Sequence, residues 1–344
     1  MDTIFDLVVA PELSAYWQTL TADRTPFLGE ELFPPDKKLG LELDWIKGSK
    51  GLPVVLKPSA FDVNSTIRDR IGFEKLTADM PFFKESMLID EKLRQELNRV
   101  LETGNEAYIE SVLSRVFDDN IQLLEGASAQ RERMRMMMLT TGVINIEANG
   151  QTYYYDYKMP AENKVTVSKS WADPTADIIE DIRLWQEQIE DATGVKPTRA
   201  LSSRKTAGYL MKNDGIKKAI YTSGIIGHVN ETRLKQFLQD EFELSLVINN
   251  KRYKNEDGET VKYVPDDTFV MFPEGELGKT WFGTTPEESD LMTSKVANVS
   301  IVDKGVAICT SHKIDPVNVD TKVSQIVLPS FETADQVIIA DVVI

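Results

Sequence analysis

The sequence predicts an α+β protein. A helical stretch occupies residues 90–140, a tight hairpin is centred on Asn149-Gly150, and beyond it short helices and strands follow one another without an internal repeat. At 344 residues the chain can bury a sizeable core without disulfides, and either one elaborate domain or two closely joined ones is expected.

The elements follow in order. Residues 1–40 scatter apolar groups (Tyr16, Trp17, Leu20, then Leu32-Phe33) at poor periodicity, and Pro34-Pro35 forbid a continuous helix, so this part reads as an arm that needs a partner surface. From Leu41 the pattern alternates, with Leu41, Leu43 and Trp45 on one side and Glu42 and Asp44 on the other. After Gly48-Ser49-Lys50-Gly51 comes a second extended run, residues 52–56. This predicts a long hairpin or extended loop. Its polar continuation to Phe73 is so long for a connection that it should be functional or disordered.

In residues 90–140, Leu93, Leu97, Val100 and Leu101 mark one helix. After a break at Gly104-Asn105 a second stripe (Tyr108, Ile109, Val112, Val116) runs on through Met134, Met136, Met137 and Met138 to Gly142. Residues 143–147 and 152–157 flank Asn149-Gly150, the pair a type I′ turn demands. Asp173 is expected to cap a helix whose stripe is Ile178, Ile182, Trp185 and Ile189 and whose stop is Gly194. The remainder reads as a strand at 198–201, helices at 203–212 and 231–240, and a hairpin joining 244–248 to 261–264 about Asp257-Gly258. Buried strands at 269–272 and 306–309 follow, then a closing pair, 324–328 against 336–343.

Composition narrows the chemistry. Lys and Arg total 39 against 55 Asp and Glu, a net charge of −16, which argues against a sequence-independent grip on nucleic acid. Cys309 is the single cysteine and has only His228 and His312 for company, so neither a disulfide nor a Cys/His zinc site is expected. The apolar run Leu7-Val8-Val9-Ala10 is too short for a signal peptide, and no stretch is long enough for a membrane span, so the chain should stay where it is made.

Gly278-Lys279-Thr280 resembles the end of a phosphate loop, but Pro273 stands where its first glycine belongs and the segment reads as a surface turn. Cys309 with His312 reads as a core strand rather than a nucleophile and base. Asp118-Asp119 and Asp266-Asp267 read as solvated pairs, the methionine cluster as packing, and Arg131, Arg133 and Arg135 with Glu132 as ion pairs on a helix surface. No cofactor, no metal and no catalytic residue is expected.

The order of several segments carries a resemblance: Leu32-Phe33-Pro34-Pro35, an extended segment with Trp45, Gly48 and Pro53, Arg68-Asp69-Arg70, Phe82-Phe83-Lys84, the long helix, Trp171-Ala172-Asp173-Pro174, and Tyr263-Val264-Pro265-Asp266-Asp267 before Gly278 and Trp281-Phe282. Together they resemble the major capsid protein E family of tailed phages, whose best-known member is the lambda shell protein. The resemblance implies the Hong Kong 97 capsid fold, with an N-terminal arm at 1–40, an E-loop at 41–77, a P-domain at 78–172 with a spine helix at about 118–141 and the hairpin, an A-domain at 173–320, and P-domain strands at 321–344.

It further implies a shell of hexamers and pentamers of this chain around double-stranded DNA without specific binding. Scaffold, portal and decoration proteins are candidate partners, assembly is in the host cytoplasm, and no membrane is involved. Trp45, Lys47, Lys50, Lys57, Arg68 and Arg70 would face a neighbouring subunit, while Ile121, Leu124, Met134, Met137 and Met138 would pack the spine helix. No residue is marked as a crosslinking lysine. An encapsulin-type compartment shell is the alternative within the fold, and a soluble α/β enzyme the alternative outside it.

Overall fold

The computed structural model describes residues 7–22, 24–47, 74–89, 91–103, 106–148, 150–221, 227–293, 297–314 and 317–344. In chain order the elements are α1 (Ala10–Thr21), α2 (Leu28–Leu32), β1 (Pro35–Lys37), β2 (Glu42–Lys47), β3 (Glu74–Asp79), β4 (Phe82–Leu88), α3 (Glu91–Thr103), α4 (Glu106–Thr141), β5 (Val143–Ala148), β6 (Gln151–Asp156), β7 (Lys164–Thr166) and α5 (Ile178–Thr193). They continue as β8 (Arg199–Ser202), α6 (Arg204–Lys212), α7 (Asp214–Ile220), α8 (Glu231–Phe242), β9 (Ser245–Ile248), β10 (Arg252–Lys254), β11 (Thr260–Lys262), β12 (Thr268–Phe272), β13 (Thr280–Phe282), β14 (Asn298–Val302), β15 (Val306–Ile314), β16 (Val317–Pro329) and β17 (Ile338–Asp341). Two compact units result. The first gathers Met1–Leu43, Thr77–Met134 and Lys279–Ser330, the second Asp44–Leu76, Arg135–Gly278 and Phe331–Ile344.

The first unit is built on a six-stranded sheet in the order β1-β13-β16-β15-β14, with β4 also on β16. β16 is its spine, pairing antiparallel with β15 from Val317 to Gln325 and with β4 from Asp320 to Ile326. Helix α1 lies against β14 and β15. Its Pro11 sits in the first turn, where no backbone N–H is needed, so it opens the helix instead of breaking it. Leu13 and Trp17, one turn apart, are buried with Leu32 and Phe33. The arm expected to expose apolar groups therefore buries Leu13, Trp17, Leu32 and Phe33 on its own unit, while Leu20 and Leu39 stay exposed.

The second unit is organised by the sheet β7-β17-β12-β8-β9, with β7 and β9 parallel to their neighbours and the two central pairings antiparallel. Helices α5 to α8 each begin at a side-chain cap. Asp177, Ser203, Asn213 and Asn230 accept from backbone N–H groups of α5, α6, α7 and α8 in turn. Gly194, at φ 74°, closes α5 in the left-handed conformation that a side chain would resist. An apolar cluster lies at its centre: Trp171 contacts Trp185 and Phe269, at ring distances of 5.6 and 5.2 Å, with Ile182, Ile189, Leu234 and Met271 around them.

Several expectations are corrected. The cap of α5 is Asp177, while Asp173 serves the turn before it by accepting from the Thr175 N–H. Asp257-Gly258 does turn a hairpin, but between β10 and β11; residues 245–248 pair in parallel with β8, because the crossover through α6 to α8 returns the chain beside it. The closing strands do not pair with each other. β16 belongs to the first unit's sheet and β17 lies between β12 and β7, since alternation identifies a strand but not its partner. The helix expected at about 118–141 begins at Glu106 and runs 36 residues, about 54 Å at 1.5 Å each. The two compact units are a division by contact, distinct from the segments named by the resemblance, which they neither support nor overturn. Residues 279–320 fall with the first unit and 331–344 with the second.

Candidate functional site

The segment expected to face a neighbour begins as the two-stranded ribbon β2–β3. Its alternation is realised, with Leu43 and Trp45 buried and Glu42 and Asp44 exposed. Trp45 is thereby corrected: its ring lies 5.5 Å from Tyr157, so it packs within its own unit and is not presented outward. Tyr157 in turn meets Phe331 edge-on at 6.2 Å. Lys47 ends β2, and Lys50, Lys57, Arg68 and Arg70 lie outside the described residues. Just before the ribbon, Leu39 is 84% and Leu41 55% exposed, with Gly40 at φ 94° between them, an apolar pair left uncovered among the described residues.

On α4, Ile121, Leu124, Met134 and Met138 are buried and Met137 half-buried, so the methionines fill core. The arginines between them are not on the surface. Arg131, 3% exposed, gives one guanidinium nitrogen to Asp303 at 2.8 Å and the other to Gln325 Oε1 at 2.9 Å, with the Phe282 ring 5.6 Å away. Burial pushes the guanidinium pKa down, and Asp303 opposes it.

Asp303 also accepts from Trp17 Nε1 at 3.3 Å, Gln325 donates to the Ala127 carbonyl at 3.0 Å, and the buried Glu132 accepts the Gly29 N–H at 3.2 Å. Asp303 and Lys304 both hold positive φ, 47° and 67°, in the turn between β14 and β15. This network ties α1, α4, that turn and β16 together inside the first unit. Charge suggested a helix surface, but the spacing contained the answer: Arg131 precedes Met134 by three and Met138 by seven, and so lies on the buried stripe.

The other motifs resolve into structure. Cys309 and His312 are three apart on β15 and so on opposite faces, the thiol buried and the imidazole exposed. His228 is exposed, and its carbonyl accepts from the Tyr221 hydroxyl. Gly278-Lys279-Thr280 is no surface turn: Lys279 pairs with Asp36, and the buried Thr280 opens β13 and donates to the Phe33 carbonyl at 2.8 Å. Asp118 accepts from Tyr16 at 2.8 Å. Asp266 pairs with Lys262, and Asp267 takes Lys205 and the Tyr209 hydroxyl, which raise the Lys205 pKa to about 12.

A groove of about 490 Å³ along α8 and β9 is lined by Glu231, Thr232, Lys235, Gln236, Gln239, Ser245 and Leu246, in which Lys235 is paired with Glu231. Among the described residues no group of three or more His, Cys, Asp or Glu is placed to hold a metal ion, and no helix is long and apolar enough to cross a membrane.

Comparison with known proteins identifies the architecture. The model of the family described as phage major capsid protein E matches residues 10–342. Among solved structures, a phage-related protein of Bordetella bronchiseptica RB50 shares 14% identity at a TM-score of 0.58, with 97% of each chain covered. A protein described as the capsid protein of a prophage in Escherichia coli CFT073 shares 14% at 0.60, covering 97% of this chain and 99% of its own. The capsid protein of cyanophage A-1(L) shares 11% at 0.51, with 93% of each covered. No curated protein matches.

Proposed function

The chain belongs to the phage major capsid protein E family and has the Hong Kong 97-type capsid fold, and from that premise we propose that it builds the closed icosahedral shell of a tailed double-stranded DNA phage or prophage. Membership implies self-assembly and a place in the virion capsid. The match over residues 10–342 is the observation that carries the reading. The proposal extends it to hexamers and pentamers, to a structural role without catalysis, to assembly in the host cytoplasm, and to scaffold, portal and decoration proteins as partners.

Two physical features support it. A chain of net charge −16 offers packaged DNA little to adhere to. The exposed Leu39 and Leu41 beside the β2–β3 ribbon suit burial under a neighbour. In this reading residues 41–77 form the E-loop across the adjacent subunit, with Lys47, Lys50, Lys57, Arg68 and Arg70 available to it. The A-domain then falls within 173–320 and the P-domain on either side.

Expression of the chain alone, followed by light scattering and negative-stain microscopy, tests the reading. Capsomers or shells are expected, and a monodisperse monomer over a broad range of concentration and salt would overturn it. Shells packed with a protein cargo instead of DNA when recovered from cells would favour a compartment. Replacing residues 47–66 with a short Gly/Ser linker should abolish shells while preserving the circular dichroism spectrum. Normal shells from that variant would refute the E-loop assignment.

A further inference from the structure

The second unit is electrically divided. Residues 173–195, which include α5, carry seven Asp or Glu and one Arg, whereas residues 196–235, which include α6, α7 and the first turn of α8, carry nine Lys or Arg and two Asp or Glu. A chain with a net charge of −16 thus holds a forty-residue run of net charge +7 directly after a run of −6. Internal pairing does not use up the basic charge. Lys196, Lys205, Lys217 and Lys235 have carboxylate partners, but Arg204, Lys212 and Lys218 are exposed and form no ion pair among the described residues. Arg204 and Lys212 are eight apart on α6 and share one face of it, and α6 packs against α7, which carries Lys218.

The acidic helix has a matching design. On α5, Glu180, Leu184, Glu187 and Asp191 follow one another at helical spacing, and Leu184 is 51% exposed in the middle of the carboxylates. Glu190 is exposed beside them. Arg183, next to Leu184, pairs with Glu180, which leaves Glu187, Glu190 and Asp191 as the carboxylates beside the exposed leucine, and an apolar side chain with charge at its margin is the anatomy of a contact core with a polar rim.

We propose that these two faces meet between copies of the chain: the basic face of α6 and α7 on one copy docks on the α5 face of the next, with Leu184 at the centre. This rests on the self-assembly reading above. The contact is heterologous, since the two surfaces differ, and a heterologous contact closes into a ring when its rotation allows. A polyanion such as DNA is the other occupant that the basic charge alone would suit. A second copy is favoured because the same unit displays the complementary carboxylates, whereas the rest of the chain repels phosphate.

Charge reversal tests the pairing. Variant one is Arg204→Glu, Lys212→Glu and Lys218→Glu; variant two is Glu187→Lys, Glu190→Lys and Asp191→Lys; variant three combines all six. All six positions are exposed, so native circular dichroism spectra and melting are expected. Wild-type chain should assemble, variants one and two should need at least tenfold higher concentration, and variant three should recover most of the difference. Assembly of variants one and two at the wild-type concentration, or failure of variant three to recover, would overturn this pairing and leave self-assembly standing. A wild-type chain that stays monomeric would overturn both. Binding of a 30-base-pair duplex that variant one abolishes while assembling normally would assign the basic face to nucleic acid instead.

Discussion

The two units of this chain close their cores by different means. The second relies mostly on apolar contact, with the Trp171, Trp185 and Phe269 rings at its centre, although Gln186, which donates to the Pro197 and Phe242 carbonyls, and Arg135 near the end of α4 are buried there too. The first places ionised side chains inside: Arg131 on Asp303 and Gln325, Glu132 on the Gly29 N–H, and Glu287 with Lys322 and Ser324. An apolar core tolerates small shifts of its elements, whereas a buried charge is satisfied only when every element bearing a partner is in register. The difference separates a core that is merely full from one that is also keyed.

That contrast predicts a graded set of failures. The largest should come from the apolar core: Trp171→Ala removes a ring in contact with two others and should cost about 4 kcal/mol, read as a lower urea midpoint, while Trp171→Phe should retain most of it. A cost below about 1 kcal/mol would mean that the aromatic cluster is not the keystone of that unit. In the first unit, Asp303→Asn keeps shape and tolerance of positive φ but strands the Arg131 cation, and should cost about 3 kcal/mol. Adding Arg131→Met should restore much of that. If the double variant is no better than the single, the pair is not keyed by charge.

Backbone geometry gives a smaller effect. Gly142 ends α4 at φ 74°, and a Cβ there would meet Lys164 Cε at 3.0 Å, so Gly142→Ala should cost about 1 kcal/mol by the same titration. The smallest effect concerns acid. Burial pushes the Glu287 carboxyl up, but Lys322 and Ser324 outweigh it and leave its pKa below the ordinary 4.5. A depressed carboxyl stabilises the fold above its unfolded value and loses that contribution as pH falls through the folded one. Glu287→Gln should therefore flatten the decline in melting temperature below about pH 4.5, and an unchanged decline would remove this group from the acid response.

The same contrast decides what was legible in the sequence. In the second unit the stripe Ile178, Ile182, Trp185 and Ile189 and the stop at Gly194 foretold α5, and Asn149-Gly150 foretold the hairpin of β5 and β6, because periodicity and turn chemistry are local. The family resemblance was carried by the order of such segments and holds over residues 10–342. In the first unit, hydropathy placed Arg131 and Glu132 in water, and nothing local announced that Asp303 and Gln325 would come to meet them. Within the arm, Leu13 and Trp17 were misread for a related reason: they find their cover on β14 and β15, nearly three hundred residues along the chain.

The docking of α1 also has a consequence for biosynthesis. Ala10 donates to Thr310, and Trp17 to Asp303, contacts that span 300 and 286 residues. At roughly 5–20 residues per second of translation, the apolar side of α1 waits about 15–60 s before its cover leaves the ribosome. For that interval it is an unprotected segment on every nascent chain. A protein made in many copies at once should therefore lean on holdase chaperones during synthesis, and chains truncated before β14 should accumulate as insoluble material even though the second unit's helices are already complete.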